Sequence, residues 1–198
     1  MQGLSTSETM VVEACSGEPM LDQVVAWASI NTGSRNLDGL AEMAAIYADV
    51  FAALPGEVRL REPAAVDGML ADGSLKPLQH GRNLHVTVRP DAPVQLLFTG
   101  HMDTVFAPDH PFQSVGWREP GILGGPGVAD MKGGITVLLA ALKAVETGEA
   151  ARGLGYEIVI NSDEEVGSPG SAALIAEAAR GKKAALTYEP SALPDGTL

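Results

Sequence analysis

The apolar residues of the chain change period several times, and each change marks an element. Leu37, Leu40, Ala44, Tyr47, Phe51 and Leu54 recur at steps of three and four, the spacing that gathers side chains on one face of a helix, and Pro55-Gly56 stops the run. Residues 21–30 carry a shorter helical pattern, with Asn31-Thr32-Gly33-Ser34 as the turn between the two. Residues 83–88 and 94–99 read as strands, and Arg89-Pro90-Asp91-Ala92-Pro93 between them predicts a hairpin.

Further along, the Gly- and Pro-rich residues 116–127 predict a loop, and residues 132–147 place Ile135, Leu138, Leu142 and Val145 on one helical face. Residues 156–160 form a short apolar run of the kind buried in a parallel sheet. A helix over 169–180 follows, and residues 184–188 repeat the strand pattern. Strands alternating with helices predict an α/β fold, a mostly parallel, mixed sheet flanked by helices.

The bulk numbers narrow the function. With 198 residues, 45% hydrophobic and 19% charged, the chain can bury a substantial core. A net charge of −12 with only 13 Lys and Arg excludes a nucleic-acid partner, because phosphate binding draws on clustered cations. The longest apolar run, 135–142, is far too short to span a bilayer, so no membrane partner is expected. The lone Cys15 forms no disulfide within the chain, and residues 1–19 lack the pattern of a signal peptide, so a soluble, cytoplasmic protein is expected.

The candidate chemistry falls where strands end, the edge at which open α/β sheets bind ligands. His101 follows one strand, Glu164 and Glu165 a second, Glu189 a third, and Asp130 opens a helix. One imidazole with several carboxylates and no thiolates suits zinc, cobalt or manganese, and one carboxylate between two such ions can bridge them. Adjacent Glu164 and Glu165 diverge if the backbone is extended, so one can ligate while the other moves a proton. Asp103, two residues beyond His101, can accept the free ring N–H and fix the tautomer.

Each residue also has a plainer reading. Asp130 alone would serve as a helix N-cap, and Glu164 with Glu165 as a solvated acidic pair. The glycines 124, 125 and 127 lack the Gly-Lys-Ser/Thr ending of a phosphate loop. Four ordered motifs together favour the metal site.

Those motifs are Gly100-His101-Met102-Asp103-Thr104-Val105, the run from Gly125 through Asp130 to Gly134, Asp163-Glu164-Glu165-Val166-Gly167-Ser168, and Tyr188-Glu189-Pro190. Together they resemble the M20 family of metallopeptidases, most closely its glutamate carboxypeptidase branch. The resemblance implies two divalent metal ions, with zinc foremost. His101 and Glu189 would bind one ion, Glu165 the other, and Asp130 both. It further implies Glu164 as general base, Asp103 as the carboxylate orienting His101, and a cis peptide after Asp130.

Residues 1–19, polar and acidic, are expected to be a flexible segment; beyond them the resemblance implies the front portion of a zinc-peptidase-like catalytic domain over 20–191 and the start of a lid or dimerisation domain at 192–198. Family enzymes are roughly twice as long, form homodimers, and supply a second histidine ligand from a later segment. The implied activity is amide hydrolysis releasing a C-terminal amino acid, possibly glutamate, from a small peptide or N-acyl amino acid. Deacylation or desuccinylation of an N-acyl amino acid, and a metal-binding fragment without catalysis, are the alternatives.

Overall fold

Ile158, Val159 and Ile160 are all inaccessible to solvent, so the strand that carries them needs cover on both faces and a neighbour along each edge. That requirement organises the sheet. The computed structural model describes residues 3–191, and among these the helices are α1 (Thr6–Ser16), α2 (Met20–Ala28), α3 (Leu37–Phe51), α4 (Gly134–Glu146) and α5 (Ala172–Ala178). The strands are β1 (Glu57–Arg61), β2 (Val66–Met69), β3 (Leu75–Leu78), β4 (Asn83–Val88), β5 (Val94–His101), β6 (Gly116–Glu119), β7 (Ile122–Gly124), β8 (Leu154–Asn161) and β9 (Ala184–Thr187).

The main sheet has the order β1-β4-β8-β5-β9. β8 runs parallel to β5 and antiparallel to β4, and β9 runs parallel to β5, giving a mixed sheet. The hairpin expected from 83–88 and 94–99 is therefore not formed: β8 lies between the two strands, pairing Leu84 with Ile160 on one side and Phe98 with Ile158 on the other. The connecting loop is held open by Gln95, whose Nε2 donates to the carbonyls of Arg89, Pro90 and Ala92.

The main core lies on the face covered by α2, α3 and α4, where Trp27, Tyr47, Phe51, Leu138, Tyr156 and Ile158 meet. Trp27 and Tyr47 contact edge to face with centroids 4.9 Å apart. A smaller cluster of Leu97, Val159, Leu174 and Ala178 seats α5 on the opposite face.

Several other segments, β1 among them, differ from the sequence expectation. Within residues 1–19, taken as flexible, α1 forms on a capping box: Ser5 Oγ accepts from Glu8 N at 3.3 Å and Glu8 Oε2 accepts from Ser5 N at 2.7 Å. α1 lies against α4, and Glu18 beyond it pairs with Lys143. The expected loop over 116–127 contains the β6–β7 hairpin, turned by Gly121 at φ 83°. A further hairpin, β2–β3, occupies residues left as loop. The domain expected to begin at 192–198 lies outside the described residues. Among the described residues no helix is long and apolar enough to cross a membrane.

Candidate metal centre

β5 ends at His101, and the chain then bends so that Met102 N donates to Asn161 O at the end of β8. This ties the end of one parallel strand to the end of its neighbour. The His101 and Glu164 segments consequently share one rim. His101 is 1% exposed, its Nδ1 lying 3.0 Å from the carbonyl oxygen of Asp103 and 3.3 Å from Asp103 Oδ1. With Nδ1 held inward, Nε2 faces the opening.

Asp130 Oδ1 lies 3.0 Å from that Nε2, Glu189 Oε1 3.5 Å and Glu164 Oε2 3.9 Å. Donor atoms of His101, Asp130 and Glu165 all lie within 4.8 Å of one another. Asp130 is not a helix cap: with φ −114° and ψ 99° it sits in a non-helical kink ahead of α4, and the Asp130–Met131 peptide is cis. Glu164 and Glu165 are not extended either. They open a 3-10 turn that Asp103 fastens, its Oδ1 accepting from Glu164 N at 3.1 Å and its Oδ2 from Glu165 N at 3.2 Å.

The electrostatics follow from crowding anions around one ring. Burial opposes the imidazolium of His101, but Asp103 by hydrogen bond and charge, with Glu189 and Asp130, outweighs it and carries the ring up to about 9. Burial and the charge of Asp130 push the Glu165 carboxyl up to about 7, and burial likewise raises Glu189. The carboxylates outnumber this one imidazole, and a divalent cation in place of the ring proton would balance them. The oxygen-rich, single-imidazole donor set fits zinc, cobalt or manganese. Among the described residues no second histidine joins the cluster.

Several residues that shape this rim escaped the sequence reading. Ser34, taken as part of a turn, donates from Oγ to Asp103 Oδ2 at 2.7 Å. Asp163 is fully buried and accepts from Gly170 N and Ser171 Oγ, both at 2.6 Å, which shapes the turn behind Glu164 and Glu165. Lys132 is fully buried beside Asp130, and its Nζ donates to the carbonyls of Trp27 at 3.1 Å and Ile30 at 2.8 Å. It thereby satisfies carbonyls at the end of α2 and ties that helix to the Asp130 segment. Gly134 lets the chain after β9 come close, since a Cβ there would stand 2.1 Å from the carbonyl oxygen of Tyr188, the residue before Glu189. Only Asp163 carried a signal, its place beside two glutamates at a strand end.

Comparison with known proteins supplies the family and the fold. The family model described as peptidase family M20/M25/M40 matches residues 97–197, just over half of the chain, and the chain belongs to that family. Carboxypeptidase G2 of Pseudomonas sp. (strain RS-16) is 36% identical over 123 residues, which are 60% of this chain and 28% of that protein. Among solved structures, the di-peptidase Dug1p of Saccharomyces cerevisiae superposes with a TM-score of 0.71 at 16% identity, covering 90% of this chain and 40% of that one. An M20 family metallo-carboxypeptidase of Sulfolobus solfataricus gives 0.67 at 18%, covering 90% and 39%. These two likenesses establish the shared α/β fold. The chain spans well under half the length of each relative.

Proposed function

We propose that this chain carries the metal-binding part of a hydrolase that cleaves an amide bond and releases a C-terminal amino acid, glutamate among the candidates, from a small peptide or N-acyl substrate. The observation that carries the reading is the convergence of His101, Asp130 and Glu165 donors within 4.8 Å, with Glu164 and Glu189 facing the same imidazole. The similarity to a carboxypeptidase supports it.

In this reading His101 and Glu189 would hold one divalent ion and Glu165 a second, with Asp130 serving both, and zinc would be the ion in each place. When bound, the ions polarise the scissile carbonyl and lower the pKa of the attacking water. Glu164, 50% exposed and close to His101, takes the proton from that water at Oε2 and returns it to the leaving nitrogen. Asp103 holds the His101 ring and the Glu164–Glu165 turn in one frame. A homodimer in the cytoplasm, with a later segment completing the second ion's site, belongs to the same proposal.

The test is an assay of the zinc-supplied protein against dipeptides, acyl-glutamates and N-acetyl amino acids, scored by free amino acid released. Release that needs zinc and falls by about 10²–10⁴-fold in Glu164→Gln supports the assignment. Release unaffected by chelator or by that substitution contradicts it.

A further inference from the structure

Beside the cluster lies a cavity of about 270 Å³, bounded by Gly33, Ser34 and Arg35 on one side, by the segment from Thr104 to Pro108 on another, and by Glu165 and Val166 on the third. Its walls are of two kinds. Val105, Ala107, Pro108 and Val166 supply apolar surface, and Glu165 connects the cavity with the proposed metal centre. Arg35 is the one cation in the lining.

The backbone around Arg35 is fixed from both sides. Ser34 before it is tied to Asp103 through Oγ, and Ser34 N donates to Thr104 O at 3.2 Å. Gly33 lies so close to the facing loop that a Cβ would stand 2.5 Å from the carbonyl oxygen of Phe106. Asn36 after it caps α3, its side chain accepting from Gly39 N at 3.3 Å. Arg35 itself, by contrast, is exposed; its Nη1 donates one long bond, 3.4 Å to Gln79 O, and it makes no ion pair with any described residue. An arginine anchored at its backbone, without an acidic partner, lining a partly apolar cavity and held by one long bond to a carbonyl keeps most of its donors available for a planar carboxylate.

We propose that Arg35 is a specificity-determining residue that binds a carboxylate carried by the substrate on a short methylene chain, the apolar walls holding the methylenes. The ligand class is an ω-carboxyl-bearing acyl or amino-acid moiety. This rests on the reading of the adjacent cluster as the metal centre, because that reading makes the cavity a substrate subsite.

The test uses glutarate and its monoamide, glutaramate. Each offers one carboxylate to the metal centre, and they differ only in whether the far end is charged. Binding is measured by isothermal titration to the zinc-supplied protein and to the chelator-treated protein, for the wild type, Arg35→Gln and Arg35→Lys. The wild type should prefer glutarate by about tenfold, the size expected of one charge-assisted contact. Arg35→Gln should abolish that preference with melting temperature and zinc stoichiometry unchanged, and Arg35→Lys should keep part of it. Equal preference in wild type and Arg35→Gln, no preference in the wild type, or no binding of either probe at millimolar concentration overturns the proposal. Failure to take up zinc overturns the metal reading separately, since the matched probes still report on Arg35 in the metal-free protein.

Discussion

Asp103 accepts the backbone N–H of Glu164 at 3.1 Å while the same carboxylate lies 3.3 Å from the Nδ1 of His101. One buried side chain thus sets the position of the imidazole at the end of β5 and of the carboxylate turn at the end of β8. Replacing it with alanine strips the acceptor from two backbone N–H groups and from Ser34 Oγ. Asp103→Ala should cost about 3 kcal/mol in denaturant unfolding, as buried donors are left unsatisfied. It should also weaken zinc binding roughly 10–100-fold. Unchanged zinc affinity would show that the orienting role is not needed.

Gly134 and Glu189 are linked through the backbone. A methyl group at 134 would overlap the carbonyl oxygen of Tyr188, so Gly134→Ala must push the segment carrying Glu189 away from α4. The expected outcome is zinc affinity reduced about tenfold or more, although alanine has the higher helix propensity. A variant that gains stability and keeps full affinity would contradict this close approach.

A pH effect is expected far from the centre, at Glu157 on β8. Burial raises its pKa, but hydrogen bonds and charge from Lys182 Nζ and His85 Nε2, each 2.6 Å from a carboxylate oxygen, outweigh that and hold it below the ordinary 4.5. A depressed folded-state pKa contributes stability above the unfolded-state value, and this is lost as pH falls through the folded-state value. Glu157→Gln should therefore be less stable than the wild type at neutral pH. The gap should narrow as pH drops below about 4.5. Urea melts across that range check this, and a gap that widens on acidification would contradict it.

Much of this was legible because the elements are local. The three-and-four spacing from Leu37 to Leu54 specifies α3, and the apolar run at 156–160 specifies the buried β8. The convergence of His101, Asp130 and Glu165 was legible because these residues sit at strand ends and at a helix start in ordered motifs. What failed was non-local or weakly apolar. β4 and β5 are adjacent in sequence, yet nothing in their own residues says that β8 will lie between them. β1 has the sequence Glu-Val-Arg-Leu-Arg, an edge strand that does alternate but offers only two apolar positions within five residues, too short a run to stand out from the loop around it. β3 contains Pro77, and β6 and β7 are bounded by glycines, which read as loop. Ser34 and Lys132 gave no warning, because their partners lie 69 and about 100 residues away.

Chelator should act on stability as well as on binding. A ligand held only by the folded state adds about 2.7 kcal/mol when its free concentration is 100-fold above its Kd. For a chain of this size that raises the melting temperature by roughly 5–10 °C. The same melting temperature with zinc and with chelator would argue against a bound ion.

Calorimetric titration of the chelator-treated protein with zinc tests the metal centre most directly. The wild type should take up at least one ion per chain, and the Asp130→Ala/Glu189→Ala double variant should take up none at the same concentrations. No uptake by the wild type, or equal uptake by both, would contradict the assignment of His101, Asp130, Glu165 and Glu189 as its ligands.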